Sequence, residues 1–189
     1  MSGRLDPRKQ FGETVKADLA ARGLTRKPRF AGWRRPLVHF TYLLRLAERY
    51  RQSRSLVGRG LGRYYAFRAR RAGMRLGVLV PPGVCGPGLH IVHWGSLVIS
   101  GQARIGSNCR IHSDVNIGAF RGGAPRIGDD VYIGPGAKIF GAIEIGDRSV
   151  IGANAVVNRS FPADSVLVGV PARAVPPKAQ NRATAGGDL

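Results

Sequence analysis

The sequence predicts a mainly β fold, a parallel β-helix that follows a short basic α-helical N-terminal region, from three observations. Apolar residues recur every six positions with one longer interval, Gly often comes directly after them, and a small or apolar residue often follows four places later. An α-helix has 3.6 residues per turn and would scatter such positions around its surface. Short strands joined by tight turns would instead direct them into one core, in which each repeat stacks on its neighbours. The apolar series is Ile99, Ile105, Ile111, Ile117, Ile127, Ile133, Ile139, Ile145, Ile151 and Val157.

The positions between these core residues favour turns. Gly, Asn and Asp tolerate backbone angles that β-branched residues avoid, and they occupy Gly101, Asn108, Asp129, Gly136 and Asn154. A Gly-rich β-sandwich is the alternative, but sandwich strands alternate with a period of two. We therefore predict a β-helix domain over residues 76–176. The second inward series is Ala103, Cys109, Val115, Val131, Ala137, Ile143, Ser149 and Ala155.

Positive charge is concentrated before the repeats. The 189-residue chain has a formal net charge of +19, and residues 1–75 hold 20 of its 30 Lys and Arg but only four acidic residues. No apolar stretch approaches the roughly 18 residues of a membrane span, and no signal-peptide core is evident. The sequence therefore predicts a cytoplasmic protein. Cys85 and Cys109 fall on inward positions, which favours packed thiols over a disulfide or a metal-binding pair.

The basic region divides into two segments. Residues 1–35 predict a flexible basic segment, and residues 36–75 predict two amphipathic helices, one from Pro36 to about Arg54 and one from Leu61 to Arg71. Gly58, Gly60 and Gly62 would separate these helices. After the repeats, residues 177–189 predict a flexible tail.

Three interpretations fit the charge of the N-terminal region. It packs against the β-helix and its oligomer mates with solvated arginines, or it makes peripheral contact with an anionic membrane surface at the inner face of the membrane. The third interpretation is nucleic-acid binding, but the basic residues match no recognised reading module.

The six-residue pattern breaks twice. Leu79, Cys85 and Ile91 keep step, but two extra residues precede Ile99, and this insertion surrounds His93. Four extra residues follow Ile117 and form an Arg/Gly-rich segment over residues 119–125, which predicts a flexible loop. Insertions in solenoids loop outward and often build the binding face.

Two segments around these breaks, and a third near the end of the repeats, resemble the serine acetyltransferase-like hexapeptide acyltransferases. They are Gly88-Leu-His-Ile-Val-His-Trp-Gly-Ser-Leu-Val-Ile99, Ile127-Gly-Asp-Asp-Val-Tyr-Ile-Gly-Pro-Gly-Ala-Lys-Ile139 and Val168-Gly-Val-Pro-Ala-Arg173. The resemblance covers about residues 77–176. It implies a left-handed β-helix with three repeats per coil, a homotrimer, and acetyl-CoA as a co-substrate held between subunits, with no metal.

By the same resemblance, His93 matches the catalytic histidine that deprotonates the acceptor hydroxyl. An alcohol is a poor nucleophile near pH 7, and imidazole is the side chain suited to removing its proton; the alternative is a histidine that caps a turn. With three repeats per coil, the repeats that begin at Ile91 and Ile111 would stack about 4.8 Å apart. His112, Ser113 and Asp114 would then orient His93 or contact the substrate.

The resemblance also implies positions that hold acetyl-CoA. Gly118 and Ala119 would lie near the thioester, and Gly136, Gly152 and Ala153 would line the pantetheine groove, where small residues let the backbone approach the ligand. Arg126, Lys138 and Arg173 would bind the phosphates; the alternative is that they are solvated surface charges.

The chain departs from the family around the acceptor. Val92 stands where the family has an Asp before the catalytic His, Val78 aligns near the Asp that pairs with that His, and residues 123–126 lack the family's second His. These differences favour a sugar hydroxyl as acceptor, as in the members associated with polysaccharide or glycolipid biosynthesis. The alternatives are an L-serine O-acetyltransferase of cysteine biosynthesis and a non-catalytic β-solenoid scaffold.

Overall fold

The computed structural model describes residues 7–28 and 31–176. The expectations for residues 1–6, 29–30 and the tail 177–189 lie outside this range. Four helices precede fourteen short strands: α1 Pro7–Ala20, α2 Ala31–Arg34, α3 Pro36–Arg51 and α4 Leu56–Leu76. The strands are β1 Val78–Leu79, β2 His90–Ile91, β3 Leu97–Ile99, β4 Arg104–Ile105, β5 Arg110–Ile111, β6 Asn116–Gly118, β7 Arg126–Ile127, β8 Tyr132–Ile133, β9 Lys138–Phe140, β10 Glu144–Ile145, β11 Val150–Ile151, β12 Val156–Val157, β13 Val166–Val168 and β14 Arg173–Val175.

The strands form three sheets that wind into a parallel β-helix of about five coils. We call them sheet A (β1-β3-β6-β9-β12), sheet B (β4-β7-β10) and sheet C (β2-β5-β8-β11-β13-β14). Ile99 pairs with Ile117, three repeats later, and Ile133 pairs with Ile151 in the same way. Among the strands named above, the pairings are parallel except that of β14, which runs antiparallel to β13. The predicted fold and the three repeats per coil are confirmed.

The six-residue series forms the core of the β-helix. Each of its ten residues retains at most 4% of its exposed surface, and burial of one such side chain contributes roughly 1.5–3 kcal/mol. The second inward series is also buried, and the Ser149 hydroxyl is satisfied because it donates to the Gly146 carbonyl at 2.7 Å. Cys85 and Cys109 are buried free thiols, and burial raises the pKa of each to about 12.

The corners of the coils share one backbone conformation. The third residue after many core residues takes a positive φ, which Gly, Asn and Asp adopt most readily. Asn108, Gly136 and Asn154 are among them, whereas Asp130 takes this conformation in place of its neighbour Asp129. Arg148 also does so, with a φ of 55°.

The N-terminal region is more ordered than predicted. The expectation that residues 1–35 are a flexible segment is wrong for α1, whose Asp18 is buried against Arg45 of α3 at 2.8 Å. The Arg45 guanidinium also donates to the carbonyls of Cys85 and Gly86, and the Leu89 amide donates to Asp18. These contacts attach α1 and α3 to the first coil, because each links a helix directly to the β-helix backbone.

The boundaries of the next two helices also differ from the prediction. Helix α3 ends at Arg51, and α4 begins at Leu56, where the Ser55 hydroxyl accepts a bond from the Gly58 amide. The three glycines expected to separate the helices therefore lie inside α4. A Cβ on Gly62 would lie 3.1 Å from the Arg51 backbone, so glycine allows α4 to pack closely on the end of α3. Within the described ranges, no helix combines the length and apolarity needed to cross a membrane.

Candidate active site

His93 lies on an exposed corner between β2 of sheet C and β3 of sheet A. This corner contains the two-residue insertion, since Ile91 still pairs in register with Ile111. The corner is fastened to the end of α4, because the Gly95 amide donates to the Leu76 carbonyl at 2.9 Å. The insertion therefore presents His93 outward on a supported turn.

The next coil brings a second imidazole to this corner. The ring centroids of His93 and His112 are 5.8 Å apart, and those of His112 and Tyr132 are 5.2 Å apart. A Cβ on Gly95 would lie 3.2 Å from Ser113 Cβ, so glycine permits the two coils to approach. The predicted stacking of these repeats is confirmed. Asp114 is exposed, and its carbonyl accepts a bond from Lys138 Nζ.

His112 and His90, near the His93 corner, both have lowered pKa values, and burial is the largest cause in each. Burial, then the charges of Arg110 and His93, lower the pKa of His112. Burial and the charge of Arg22 are the largest causes that lower the pKa of His90 to about 4. Within residues 7–28 and 31–176, the His93 side chain makes no hydrogen bond or ion pair, and buried His112 Nε2 has no partner. No carboxylate among these residues therefore fixes the orientation of His93.

Three of the residues expected to hold acetyl-CoA follow His93 along the same edge. Gly136 lies on the corresponding corner after β8, and Gly152 and Ala153 lie on the corner after β11. Both glycines allow adjacent coils to pack closely, because a Cβ on Gly136 would collide with Asn154 Oδ1 and one on Gly152 would lie 3.0 Å from Val168 Cγ1.

Lys138 begins β9 directly after the Gly136 corner, whereas the other four expected acetyl-CoA residues lie elsewhere in the protomer. Gly118 and Ala119 stand at the opposite end of sheet A, Arg126 lies on sheet B, and Arg173 lies on β14. The strands of sheet A separate the first two from the His93 corner, so one protomer does not bring the whole set together. Arg126 is paired in register with Arg104, and both line a cavity of about 420 Å³.

The second insertion is a tight hairpin, and the prediction of a flexible loop over residues 119–125 is wrong. The amide of Phe120 donates to the Gly123 carbonyl at 2.8 Å, and the Gly123 amide donates back at 3.2 Å. Arg121 and Gly122 between them have φ values of 49° and 81°, the pattern of a two-residue turn that suits hairpins. The Phe120 ring packs edge-on against Phe140 at 5.8 Å.

Sequence analysis missed a second cavity, of about 460 Å³, between the helices and the His93 corner. Arg34 and Arg35 line it from the α2–α3 junction, and Val92 and Trp94 line it from the corner. The pair of arginines directly before Pro36 was the available sequence signal. It could not be interpreted alone, because only the fold brings residues so distant in sequence together.

Comparison with known proteins is consistent with this architecture. The family described as bacterial transferase hexapeptide (six repeats) matches residues 124–159. A serine acetyltransferase from Mycobacterium tuberculosis is 42% identical over 104 residues, which cover 52% of this chain and 45% of that protein. One from Helicobacter pylori is 39% identical, with 61% of its length covered. The chain thus spans about half the length of the curated relatives it matches.

Solved structures extend the similarity into the helices. The serine acetyltransferase of Neisseria gonorrhoeae in complex with serine is 31% identical, with a TM-score of 0.71, covering 89% of this chain and 70% of that one. A serine acetyltransferase in complex with CoA is 26% identical, with a TM-score of 0.67, covering 88% of this chain and 70% of that one. This extent of similarity includes the coils and most of the helical region. The chain belongs to the serine acetyltransferase-like family of hexapeptide-repeat, left-handed β-helix acyltransferases.

Proposed function

We propose that the protein is an acetyl-CoA-dependent O-acetyltransferase in which His93 is the general base. The observation that carries this proposal is the position of His93, on an exposed insertion between β2 and β3 with the His112 ring 5.8 Å away on the next coil. The alternative of a non-catalytic scaffold gives no reason for an outward-facing imidazole at a break in the repeats. Family membership supports the same reaction.

In the proposed reaction, His93 takes the proton of the acceptor hydroxyl while the hydroxyl oxygen attacks the thioester carbonyl carbon. His93 then returns the proton to the sulfur as the C–S bond breaks, which releases the acetyl ester and free CoA thiol. A backbone N–H near Gly118 would stabilise the negative oxygen of the intermediate. We propose that His112, Ser113 and Asp114 orient His93 or contact the acceptor.

Homotrimer formation is part of the proposal, because the expected acetyl-CoA residues are divided between two edges of the β-helix. In a three-fold assembly, the His93 edge of one subunit would face Gly118 and Ala119 of the next. Arg126, Lys138 and Arg173 would then be available to the CoA phosphates. Sedimentation velocity of the full chain tests the trimer, and a monomer at enzymatic concentrations would contradict it.

L-Serine is the acceptor that the comparisons favour, since both the curated relatives and the solved structures described above are serine acetyltransferases. L-Serine is therefore the first candidate acceptor, ahead of the sugar hydroxyl that the departures from the family favour. A sugar hydroxyl in polysaccharide or glycolipid assembly remains the second candidate. It is supported by Val92 and buried Val78, which stand where the family resemblance implies carboxylates.

The test is thiol release from acetyl-CoA by the purified full chain, with L-serine and a panel of sugars as acceptors. We expect turnover with L-serine and a loss of about 100- to 10,000-fold in kcat for His93→Ala, the usual contribution of a general base. Exposed Lys9→Gln is the matched control and should leave the rate unchanged. Turnover with sugars and not with L-serine would support a sugar hydroxyl as the acceptor. If calorimetry detects no binding of acetyl-CoA, the result would support the non-catalytic scaffold.

Peripheral binding to an anionic membrane is a separate proposal, supported by the outer face of α4. Leu56, Phe67 and Met74 are 77%, 59% and 64% exposed and lie on one side of this helix. Arginines flank them on both sides, and the helix has no acidic residue. An apolar stripe between rows of arginine matches a helix that lies in the interface of an anionic bilayer.

Vesicle co-sedimentation tests this proposal. We expect the full chain to bind vesicles that contain phosphatidylglycerol and not vesicles of phosphatidylcholine alone, with binding weakened by salt and by Phe67→Ser with Met74→Ser. Equal binding by this variant would contradict the proposal. If the full chain instead forms a larger species as its concentration rises, and the Phe67/Met74 variant does not, this face of α4 would bind a second copy of the chain.

A further inference from the structure

The cavity beside the His93 corner has a distinctive set of lining residues. Arg22, Arg34 and Arg35 contribute positive charge, Val92 and Trp94 contribute an apolar wall, and none of its lining residues is acidic. With a volume of about 460 Å³, it is large enough for a small-molecule ligand.

Arg34 and Arg35 differ from Arg22 in their hydrogen bonding. Arg22 donates to the carbonyls of Asp18 and Leu89, both at 2.7 Å, so its guanidinium is engaged in holding α1 against the first coil. The exposed guanidinium groups of Arg34 and Arg35 make no hydrogen bond or ion pair with the part of the chain that the structure describes. Their charge is therefore available to a ligand in the cavity.

The electrostatics of the neighbouring groups point the same way. Burial lowers the pKa of Arg22 to about 10 despite the opposing charge of Asp18. The pKa of His90 falls to about 4, through burial and then the charges of Arg22 and Arg110. His90 is therefore neutral near pH 7, and the positive charge that would attract an anion comes from the three arginines that line the cavity.

The cavity also adjoins the proposed general base. Val92 and Trp94 both line it, and His93 stands between them. The His93 side chain is not itself part of the lining, so a molecule with one group in the cavity would extend a second group past Val92 and Trp94 to reach the imidazole. An acceptor of two functional parts, one charged and one hydroxyl, would fit this arrangement.

We propose that this cavity is the acceptor subsite and that Arg34 and Arg35 bind an anionic group, a carboxylate or a phosphate, of the molecule whose hydroxyl is acetylated. The proposal rests on the acetyltransferase function above and names the class of acceptor. A carboxylate is the anionic group of L-serine, and a phosphate would belong to a phosphorylated sugar. Both are planar or tetrahedral oxyanions that guanidinium groups bind through paired hydrogen bonds.

The experiment compares acceptors that differ by one charge. Thiol release from acetyl-CoA is measured with L-serine against L-serinamide and with glucose 6-phosphate against glucose. We expect kcat/KM to be at least about tenfold higher for the anionic member of one pair, in keeping with hydrogen bonds between charged groups. The pair that responds identifies carboxylate or phosphate as the anion.

The variant Arg34→Gln with Arg35→Gln should erase that preference while leaving the KM for acetyl-CoA and the melting temperature unchanged. Lys9→Gln with Lys16→Gln removes the same charge from the exposed face of α1 and should retain the preference. Equal rates for charged and neutral acceptors, or an unchanged preference in the Arg34/Arg35 variant, would overturn the proposal.

A direct binding measurement separates this proposal from the acetyltransferase function. Calorimetry with L-serine and with glucose 6-phosphate, without acetyl-CoA, should detect one of them in the wild type and in the Lys9/Lys16 control but not in the Arg34/Arg35 variant. If no acceptor supports turnover, the proposed function fails, yet arginine-dependent binding would still support the subsite. Absence of binding by both ligands would overturn the subsite.

Discussion

The imidazole rings of His93 and His112 face each other across adjacent coils, with centroids 5.8 Å apart and planes tilted by 55°. His112 is the less exposed of the two, its Nε2 has no partner among the described residues, and its pKa is lowered by burial. A neutral ring beside the proposed base can donate or accept one hydrogen bond. It can therefore serve a substrate or His93 without adding a charge.

His112→Phe tests this role. Phenylalanine keeps the ring contact with Tyr132 but removes both ring nitrogens, so we expect kcat to fall by about ten- to a hundredfold with an unchanged KM for acetyl-CoA. The measurement is steady-state thiol release, with the melting temperature as a control for folding. An unchanged kcat would leave His112 with a packing role alone.

Arg45→Met should strongly destabilise the protein. It would leave the buried Asp18 carboxylate without its bidentate partner, and loss of one member of a buried ion pair typically lowers the free energy of unfolding by about 3–5 kcal/mol. Urea denaturation measures the change. Arg51→Met on the exposed end of α3 is the matched control, and equal effects from both variants would show that the buried pair contributes little.

Two glycines of α4 should respond in opposite directions to alanine. A Cβ on Gly60 meets nothing within 4 Å, so Gly60→Ala should raise the free energy of unfolding by up to about 1 kcal/mol through helix propensity. A Cβ on Gly73 would collide with the Val78 carbonyl, so Gly73→Ala should lower it by about 1–3 kcal/mol. Thermal unfolding of both variants gives the comparison, and a shift in the same direction would contradict it.

Stability should fall between pH 6.5 and about pH 4, in part because of His90. The folded-state pKa of His90 is lowered from 6.5 to about 4, so the unfolded chain binds more protons in this interval. The contribution of His90 to the free energy of unfolding is fully present above pH 6.5 and is lost as the pH falls towards 4. Since His90 is half-buried, we expect a loss on the order of 1 kcal/mol.

The control for this pH effect is His90→Gln, measured by urea denaturation at pH 4.5 and pH 7. The difference between wild type and variant isolates His90 from His112 and His39, whose lowered pKa values act in the same direction. The variant should lose less stability than the wild type on acidification. Identical losses would contradict the contribution of His90.

The β-helix could be predicted from the sequence because every repeat places apolar residues at the same positions. Ile117 and Ile139 are buried for the same reason as their neighbours, and the stacking of His112 next to His93 follows from counting three repeats per coil. The first break in the pattern predicted an insertion around His93, and the structure has His93 on the corner between β2 and β3, whereas its catalytic role stays a prediction. Periodicity does not predict the conformation of an insertion. The segment expected to be a flexible loop over residues 119–125 therefore contains a hairpin at Phe120–Gly123 that the sequence pattern did not predict.

The N-terminal helices were less predictable because long-range contacts decide them. Asp18 looks like an ordinary surface acid in the sequence, and its burial depends on Arg45 and on the Leu89 amide. The glycines of α4 have low helix propensity, but tertiary packing makes them useful there. The cavity lined by Arg34 and Trp94 depends on the same docking, so no local pattern could have located it.

The antiparallel direction of β14 affects whether copies of the chain can stack end to end. If a parallel solenoid ended on a coil with unpaired strands, those strands could pair with the first coil of another chain. Such exposed strand edges promote fibre growth. At sheet C that edge is taken by a strand of opposite direction. The first coil is covered in turn, since α4 leads directly into β1 and Arg45 occupies the carbonyls of Cys85 and Gly86. We therefore expect these two features to disfavour head-to-tail contacts between copies of the chain at sheet C and at the first coil.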